Sequence, residues 1–285
     1  NSIDRKDWKK KLDKAEKTDL NILFHKVKQL NLRNSIFIDN TADEKVSREY
    51  KRYLENNIGV VTCNKIACAD SFQNYKTLKN ISRKFNSPFL FETNVGAGLP
   101  VIDTLSNLIA SGDQIIKIEA ILSGSLNYIF NNFKTNDSFH KIVGEAMKKG
   151  LTEPDPRIDL SGIDVARKIL ILARESGVEI ELNDVKINSF LPKEVDKISD
   201  TNLFLESLKK HKAHFNSYLE SAKSNKSSLK YTARLNQGKA EVGLKEIHPG
   251  HDFYNIEGSD NIILFYTVRY KNNPLIIKGA GAGAE

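Results

Sequence analysis

The periodicity of residues 20–92 constrains this chain more than any other feature. Apolar residues recur at helical spacing over Leu20–Leu30 (Leu20, Leu23, Phe24, Val27, Leu30). They give way to a β-branched run, Ser35-Ile36-Phe37-Ile38, that stops at Asp39-Asn40-Thr41. Helical spacing resumes over Ala42–Asn56, and Ile58-Gly59-Val60-Val61 predicts a buried strand. Ala69–Phe85 predicts a further helix and Pro88-Phe89-Leu90-Phe91 another strand. Helices alternating with short strands predict parallel βαβ units. In such sheets ligands lie beyond the carboxyl ends of the strands, which places Asn40, Thr41, Thr62, Asn64 and Lys65 where a cofactor is held.

After Asn94 the texture changes. A Gly-rich turn, Gly96-Ala97-Gly98, leads through Leu99-Pro100 into a helix. A strand over Gln114–Leu122, a turn at Ser123-Gly124 and a helix over Ser125–Phe133 follow. Two more helices are expected near Ser138–Lys149 and Gly162–Ser176, separated by an acidic loop, Gly150–Leu160. From Leu229 onward strands dominate, at Leu229–Leu235, Ala240–Leu244, Asn261–Tyr270 and Pro274–Lys278, so a second, α+β domain is expected.

Composition excludes several classes of function. Lys and Arg number 43 against 36 Asp and Glu in 285 residues, a net charge of +7. That excess is diffuse. Lys9-Lys10-Lys11 is followed by Asp13 and Glu16, and the stretch from Lys209 to Lys230 predicts a solvated face without the interleaved aromatics of an RNA platform. No nucleic-acid partner is expected. No apolar run approaches the roughly 18–20 residues of a membrane span, and the first residues lack a signal-peptide core. Cys63 and Cys68 alone cannot make a disulfide framework or a structural zinc site, so a reducing, cytoplasmic setting is expected. His211-x-x-His214 and His248-x-x-His251 lack a third ligand at suitable spacing and read as surface histidines.

Groups that carry chemistry concentrate in Gly150–Lys168. Pro154 and Pro156 stiffen a loop bearing Glu153, Asp155 and Asp159, a preset acidic surface suited to a small cationic group such as an ammonium. Ser161-x-x-Asp164 then opens a helix with Val165, Ile169, Leu172 and Ala173 as its buried stripe; Asp164 and Lys168, at i and i+4, share another face. Two readings fit this spacing. One is an ordinary capping box with a helical ion pair. The other makes Lys168 a proton donor to a reacting oxygen, positioned by Asp164, a role open to lysine when partial burial lowers its pKa toward the working pH.

The stretch from about Gly59 to Leu191 resembles homoserine dehydrogenase, above all the C-terminal half of bifunctional aspartokinase–homoserine dehydrogenases. The resemblance rests on Val60-Val61-Thr62-Cys63-Asn64-Lys65, on Glu92-Thr93-Asn94-Val95-Gly96-Ala97-Gly98-Leu99-Pro100-Val101-Ile102, on Ile121-Leu122-Ser123-Gly124-Ser125-Leu126-Asn127-Tyr128-Ile129-Phe130, and on Gly150–Glu175. It implies hydride transfer between aspartate 4-semialdehyde and homoserine with NADP or NAD. Lys168, Asp164 and Lys65 are then the catalytic group, Lys65 falling on a second site lysine near nicotinamide and substrate. Glu153, Asp159, Gly124 and Ser125 are implied to bind substrate, and many relatives carry Thr at the position of Ser125. Gly150, Gly279 and Gly281 join the strand-end residues as implied cofactor contacts. Glu92, Val95, Ala97 and Leu99 fall on the family's sodium loop, where backbone carbonyls coordinate and one carboxylate supplies charge. The resemblance further implies a homodimer or larger homo-oligomer, with Pro100–Ile109 and the strands from Tyr231 to Lys278 in the family's dimer region.

A full dinucleotide-binding half opens with a strand, a Gly-rich turn and a helix, and residues 1–64 contain no such turn. Gly279–Ala284 spells G-x-G-x-x-A, but only Glu285 follows, so it opens no helix. The expected fold is therefore α/β, a truncated Rossmann-like nucleotide-binding domain (1–99 and 279–285) with an α+β substrate-binding and dimerisation domain (100–278). A noncatalytic dehydrogenase-like regulatory or interaction module of a larger protein is the alternative. The missing phosphate turn supports it, and the intact Lys65, Glu153, Asp164 and Lys168 weaken it.

Overall fold

In the computed structural model, which describes residues 6–15, 17, 19–134 and 138–281, the helix–strand alternation builds a three-stranded parallel sheet in the order β1-β2-β3. After an exposed helix α1 (Trp8–Asp13), α2 (Leu20–Leu30) starts where Asp19 accepts the Ile22 N–H and stops where Asn31 turns left-handed. Strand β1 (Ile36–Asp39) follows. The single helix expected over 42–56 is instead two, α3 (Glu44–Ser47) and α4 (Tyr50–Glu55). Between them Glu49 N–H bonds Val46 O and Arg52 N–H bonds Glu49 O, tighter i→i+3 links that re-aim α4 to bury Tyr50, Tyr53 and Leu54. Strand β2 (Gly59–Thr62) begins at a glycine because a Cβ there would lie 2.9 Å from Pro88 Cγ. The helix expected from Ala69 also divides, into α5 (Ile66–Ala69) and α6 (Phe72–Lys84), since Asp70 is extended and Ser71 caps the Asn74 N–H. Strand β3 (Phe89–Leu90) completes the sheet.

A second, six-stranded sheet follows α7 (Val101–Ala110), with β4 (Ile115–Ile121) near its middle. Helices α8 (Gly124–Asn132) and α9 (Phe139–Lys148) come next. The acidic segment expected as a loop then folds a short helix, α10 (Pro156–Leu160), because Asp155 caps it and Pro156 presets its first turn. Helix α11 (Ile163–Glu175), β5 (Lys186–Asn188), α12 (Lys193–Asp196), α13 (Thr201–Lys210) and α14 (Lys212–Ser224) lead to β6 (Ser228–Asn236), β7 (Lys239–Ile247), β8 (Asp260–Thr267) and β9 (Leu275–Ala280). The order is β5-β7-β6-β4-β8-β9, antiparallel except for β5 beside β7. Gly279 and Ala280 pair with Asn261 and Asp260, so the domain boundary expected at 278/279 falls inside β9; residues 282–285 lie outside the described residues.

Helices α8, α11 and α14 pack on this sheet through an aromatic core in which Phe139 stacks on Phe215 at 4.2 Å and Phe190 meets Tyr231 edge-on. The same core runs on to Val60 and Phe89 of the parallel sheet. Lys230, expected in a solvated face, is only 2% exposed: β6 alternation turns it under α8, where its ammonium bonds Asn131 Oδ1 and Ile256 O. Among the described residues, no helix is long and apolar enough to cross a membrane.

Candidate active site

Helix α11 presents its polar face to a cleft of about 440 Å³ between the two sheets. Lys168 Nζ lies 2.8 Å from Asp164 Oδ2 and 2.8 Å from Leu122 O, and Lys65 Nζ stands 3.6 Å from Asp164 Oδ1. Two ammonium groups thus share one carboxylate. Burial acts to raise the Asp164 carboxyl, but Lys168 and then Lys65 outweigh it, and its pKa is lowered. The capping box expected at 161–164 does not form. The N-cap is Gly162, left-handed at φ 75°, and Ser161 Oγ accepts only the Ile163 N–H at 3.3 Å. Asp164 is thereby left for the lysines. A Cβ on Gly162 would fall 1.9 Å from Tyr231 Oη, so the entry to α11 is seated on that tyrosine.

The acidic segment forms the facing wall, and its three carboxylates have different fates. Asp155 is spent on Arg157, whose hydrogen bonds hold its carboxyl below the usual range, so it does not belong to the expected ammonium-binding surface. Asp159 accepts from Ser125 Oγ at 2.6 Å and from the Glu153 N–H at 2.9 Å, tying this wall to the start of α8; burial raises its carboxyl against those bonds. Glu153 is exposed at the cleft. Gly150, Gly124 and Ala97 complete the expected residues that the structure brings to this one space.

The others lie elsewhere. Thr62 and Asn64, expected to face a cofactor, are each 2% exposed. Their side chains serve a buried carboxylate: Asp39 accepts from Tyr50 Oη and from Asn64 Nδ2 (3.1 Å), and Tyr50 Oη is 2.7 Å from Thr62 Oγ1. Asn40 and Thr41 are exposed beyond β1. Glu92, expected to bring charge to a cation, instead caps α7, accepting the Ile102 and Asp103 N–H groups at 2.8 and 2.7 Å. The turn after it does reverse sharply, with Gly96 at φ 78° and Ala97 at φ 48°, while Val95 is buried and Leu99 O accepts the Val101 N–H. Gly279 packs toward Leu99 and Gly281 against Asn261.

Sequence reasoning missed one wall entirely. Ser259 and Asn261 line the cleft, and Ser259 O is so near Gly124 that a Cβ there would sit 3.0 Å away. Side chains pin this segment by its carbonyls: Lys230 takes Ile256 O, Asn127 takes Glu257 O and Asp260 O, and Asn131 takes Gly258 O. The turn letters Glu257-Gly258-Ser259 before β8 were the only signal available.

Comparison with known proteins gives the family. Residues 100–285 match the homoserine dehydrogenase family model, and residues 1–92 match the model described as homoserine dehydrogenase, NAD binding domain. The homoserine dehydrogenase of Schizosaccharomyces pombe is 40% identical over 258 residues, covering 88% of this chain and 69% of that protein. The chain belongs to the homoserine dehydrogenase family. It is also 40% identical over 287 residues to a chloroplastic bifunctional aspartokinase/homoserine dehydrogenase of Zea mays; 99% of the chain is covered, but it spans only 31% of that relative's length. A crystal structure of a Candida auris protein of unknown function superposes with a TM-score of 0.89 at 34% identity, over 100% of this chain and 81% of that one.

Proposed function

We propose that the chain is the substrate-handling part of a homoserine dehydrogenase, interconverting L-aspartate 4-semialdehyde and L-homoserine with NADP or NAD. In this reading residues 1–99 belong to the nucleotide-binding part and the later sheet to a substrate and dimerisation part of a cytoplasmic homodimer. The observation that carries the proposal is the seat of Lys168. An ammonium has three N–H donors; Asp164 and Leu122 O take two, so tetrahedral geometry fixes the direction of the third, and Lys168 lines the cleft.

A carbonyl oxygen placed on that third donor receives a proton as its carbon is reduced, and in the reverse direction Lys168 takes the proton back from the hydroxyl. Asp164 holds Lys168 and Lys65 in register, and the second ammonium adds positive potential where negative charge develops on oxygen. Glu153 and Asp159 face the substrate's ammonium, with Ser125 setting the angle of Asp159. When bound, the nicotinamide supplies or accepts the hydride. The glycine-lined side of the cleft, where Gly96 and Ala97 stand beside a buried Asn261 amide lacking a partner on Oδ1, fits a flat amide-bearing ring. A sodium ion at Glu92, Val95, Ala97 and Leu99 would have to rely on neutral carbonyls, since the Glu92 carboxylate is engaged, and no step depends on it.

The test is oxidation of homoserine with NADP⁺ by the full-length protein and by Lys168→Ala. The variant should lose at least about 100-fold in kcat, the scale of a lost general acid, while melting near the wild type. An unchanged kcat removes Lys168 from proton transfer.

A further inference from the structure

Asn261, the second residue of β8, is 6% exposed and lines the cleft, yet its Oδ1 is buried with no hydrogen-bond partner among the described residues. Buried amides in folded proteins are almost always paired, so an unpaired acceptor on a residue that lines a binding cleft points to a ligand that brings a donor. The backbone that carries this amide is held in place. Its strand pairs with β4 and β9, and the segment before it is tied to α8 and β6 through the carbonyls of residues 256, 257, 258 and 260.

Gly281 points to the same conclusion. Its backbone is not left-handed, so conformation does not demand a glycine there. Space does: a Cβ at 281 would lie 2.4 Å from Asn261 Nδ2, 3.2 Å from its Cγ and 3.6 Å from Gly96 O. The missing side chain leaves the slot in which the amide lies.

Two ligand donors could meet this acceptor, the substrate's ammonium and the cofactor's carboxamide. An ammonium has donors only and is matched by carboxylates, which stand on the other wall as Glu153 and Asp159. A neutral side-chain amide has an acceptor and a donor side by side, the complement of a primary carboxamide. We propose that Asn261 reads the carboxamide of the nicotinamide, Oδ1 accepting its N–H, and that residue 281 is glycine to keep this amide in place. The assignment rests on the dehydrogenase reading above.

The test is calorimetric binding, without turnover, of NADPH and of its reduced 3-acetylpyridine analogue, which keeps the carbonyl but lacks the amide N–H. The wild-type full-length protein should prefer NADPH by about 5- to 10-fold, the scale of one neutral hydrogen bond. Asn261→Ala should bind the two equally, and Gly281→Ala, which displaces the amide without removing it, should lose most of the preference. A ratio of affinities does not depend on the folded fraction of a variant. An Asn261→Ala protein that keeps the wild-type preference overturns the assignment, as does one that loses homoserine affinity while its preference between cofactors is unchanged. Failure of the wild type to bind either NADPH or NADH overturns the dehydrogenase reading and this assignment with it.

Discussion

Gly162→Ala tests whether the start of α11 is set by its contact with Tyr231. Two costs arise at this position. A left-handed φ of 75° disfavours an L-residue by roughly 1–2 kcal/mol. The new methyl would lie 1.9 Å from Tyr231 Oη and 2.8 Å from its Cζ, and Tyr231, 1% exposed, is wedged edge-on against Phe190, so overpacking adds about 1–3 kcal/mol. Reduced freedom of the unfolded chain returns about 0.4–1 kcal/mol. The net loss should be about 1–4.6 kcal/mol, a sizeable part of the ~5–15 kcal/mol that holds a typical domain together. Urea unfolding read by linear extrapolation measures it, with an unchanged slope as the check on two-state behaviour.

The contact itself is isolated by a double-variant cycle. The Tyr231 hydroxyl is buried without a partner, so Tyr231→Phe alone should be neutral or stabilise by up to about 1 kcal/mol. Combined with Gly162→Ala it removes the nearest clashing atom but leaves the ring, and should recover about 1 kcal/mol beyond additivity. A Gly162→Ala protein within about 0.5 kcal/mol of wild type, or strict additivity of the pair, would refute the reasoning.

Three further outcomes are expected. Asp164→Asn removes the anion shared by Lys65 and Lys168 and should lower kcat at least about 10-fold in steady-state assays; a change confined to KM would show that the lysines hold their places without it. Burial lowers the pKa of Lys230 to about 8. An unfolded lysine titrates near about 10.4, so between these values the unfolded chain binds more protons and this group makes stability rise with pH. Subtracting urea-unfolding curves of Lys230→Met from those of the wild type should expose that rise, and a difference that is flat from pH 7 to pH 10 (about the window in question) counts against it. Glu92→Ala strips the cap from α7 and should cost about 1–2 kcal/mol by the same method, whereas a loss below about 0.3 kcal/mol would mean that the cap is dispensable.

What was legible in the sequence was whatever local chemistry decides. The bounds of α2 were legible because its apolar spacing runs from Leu20 to Leu30, and the parallel strands because β-branched runs stop at polar turns. The Asp164/Lys168 pair was legible because helical spacing alone brings i and i+4 together. Groups whose partners lie far along the chain were not. Lys230 looked like one more surface lysine until β6 placed it under Asn131, 99 residues earlier. Glu92 looked like a charge for a cation until the chain returned ten residues later with free helix N–H groups. Asn64 follows a strand as a cofactor contact would, but the buried Asp39, 25 residues before it, claims its amide.

The bonds that α8 and β6 make to the carbonyls of residues 256–260 also decide how the cleft can move. Ser259 and Asn261 cannot retreat from Gly124 without breaking that set, so α8 and this wall are tied into one unit. The facing wall, the acid-bearing segment between Gly150 and Gly162, is joined to α8 by side chains only through the Ser125–Asp159 bond among the contacts described above. The wall that carries Asn261 is thus the more heavily tied of the two, with four of its carbonyls taken by three side chains.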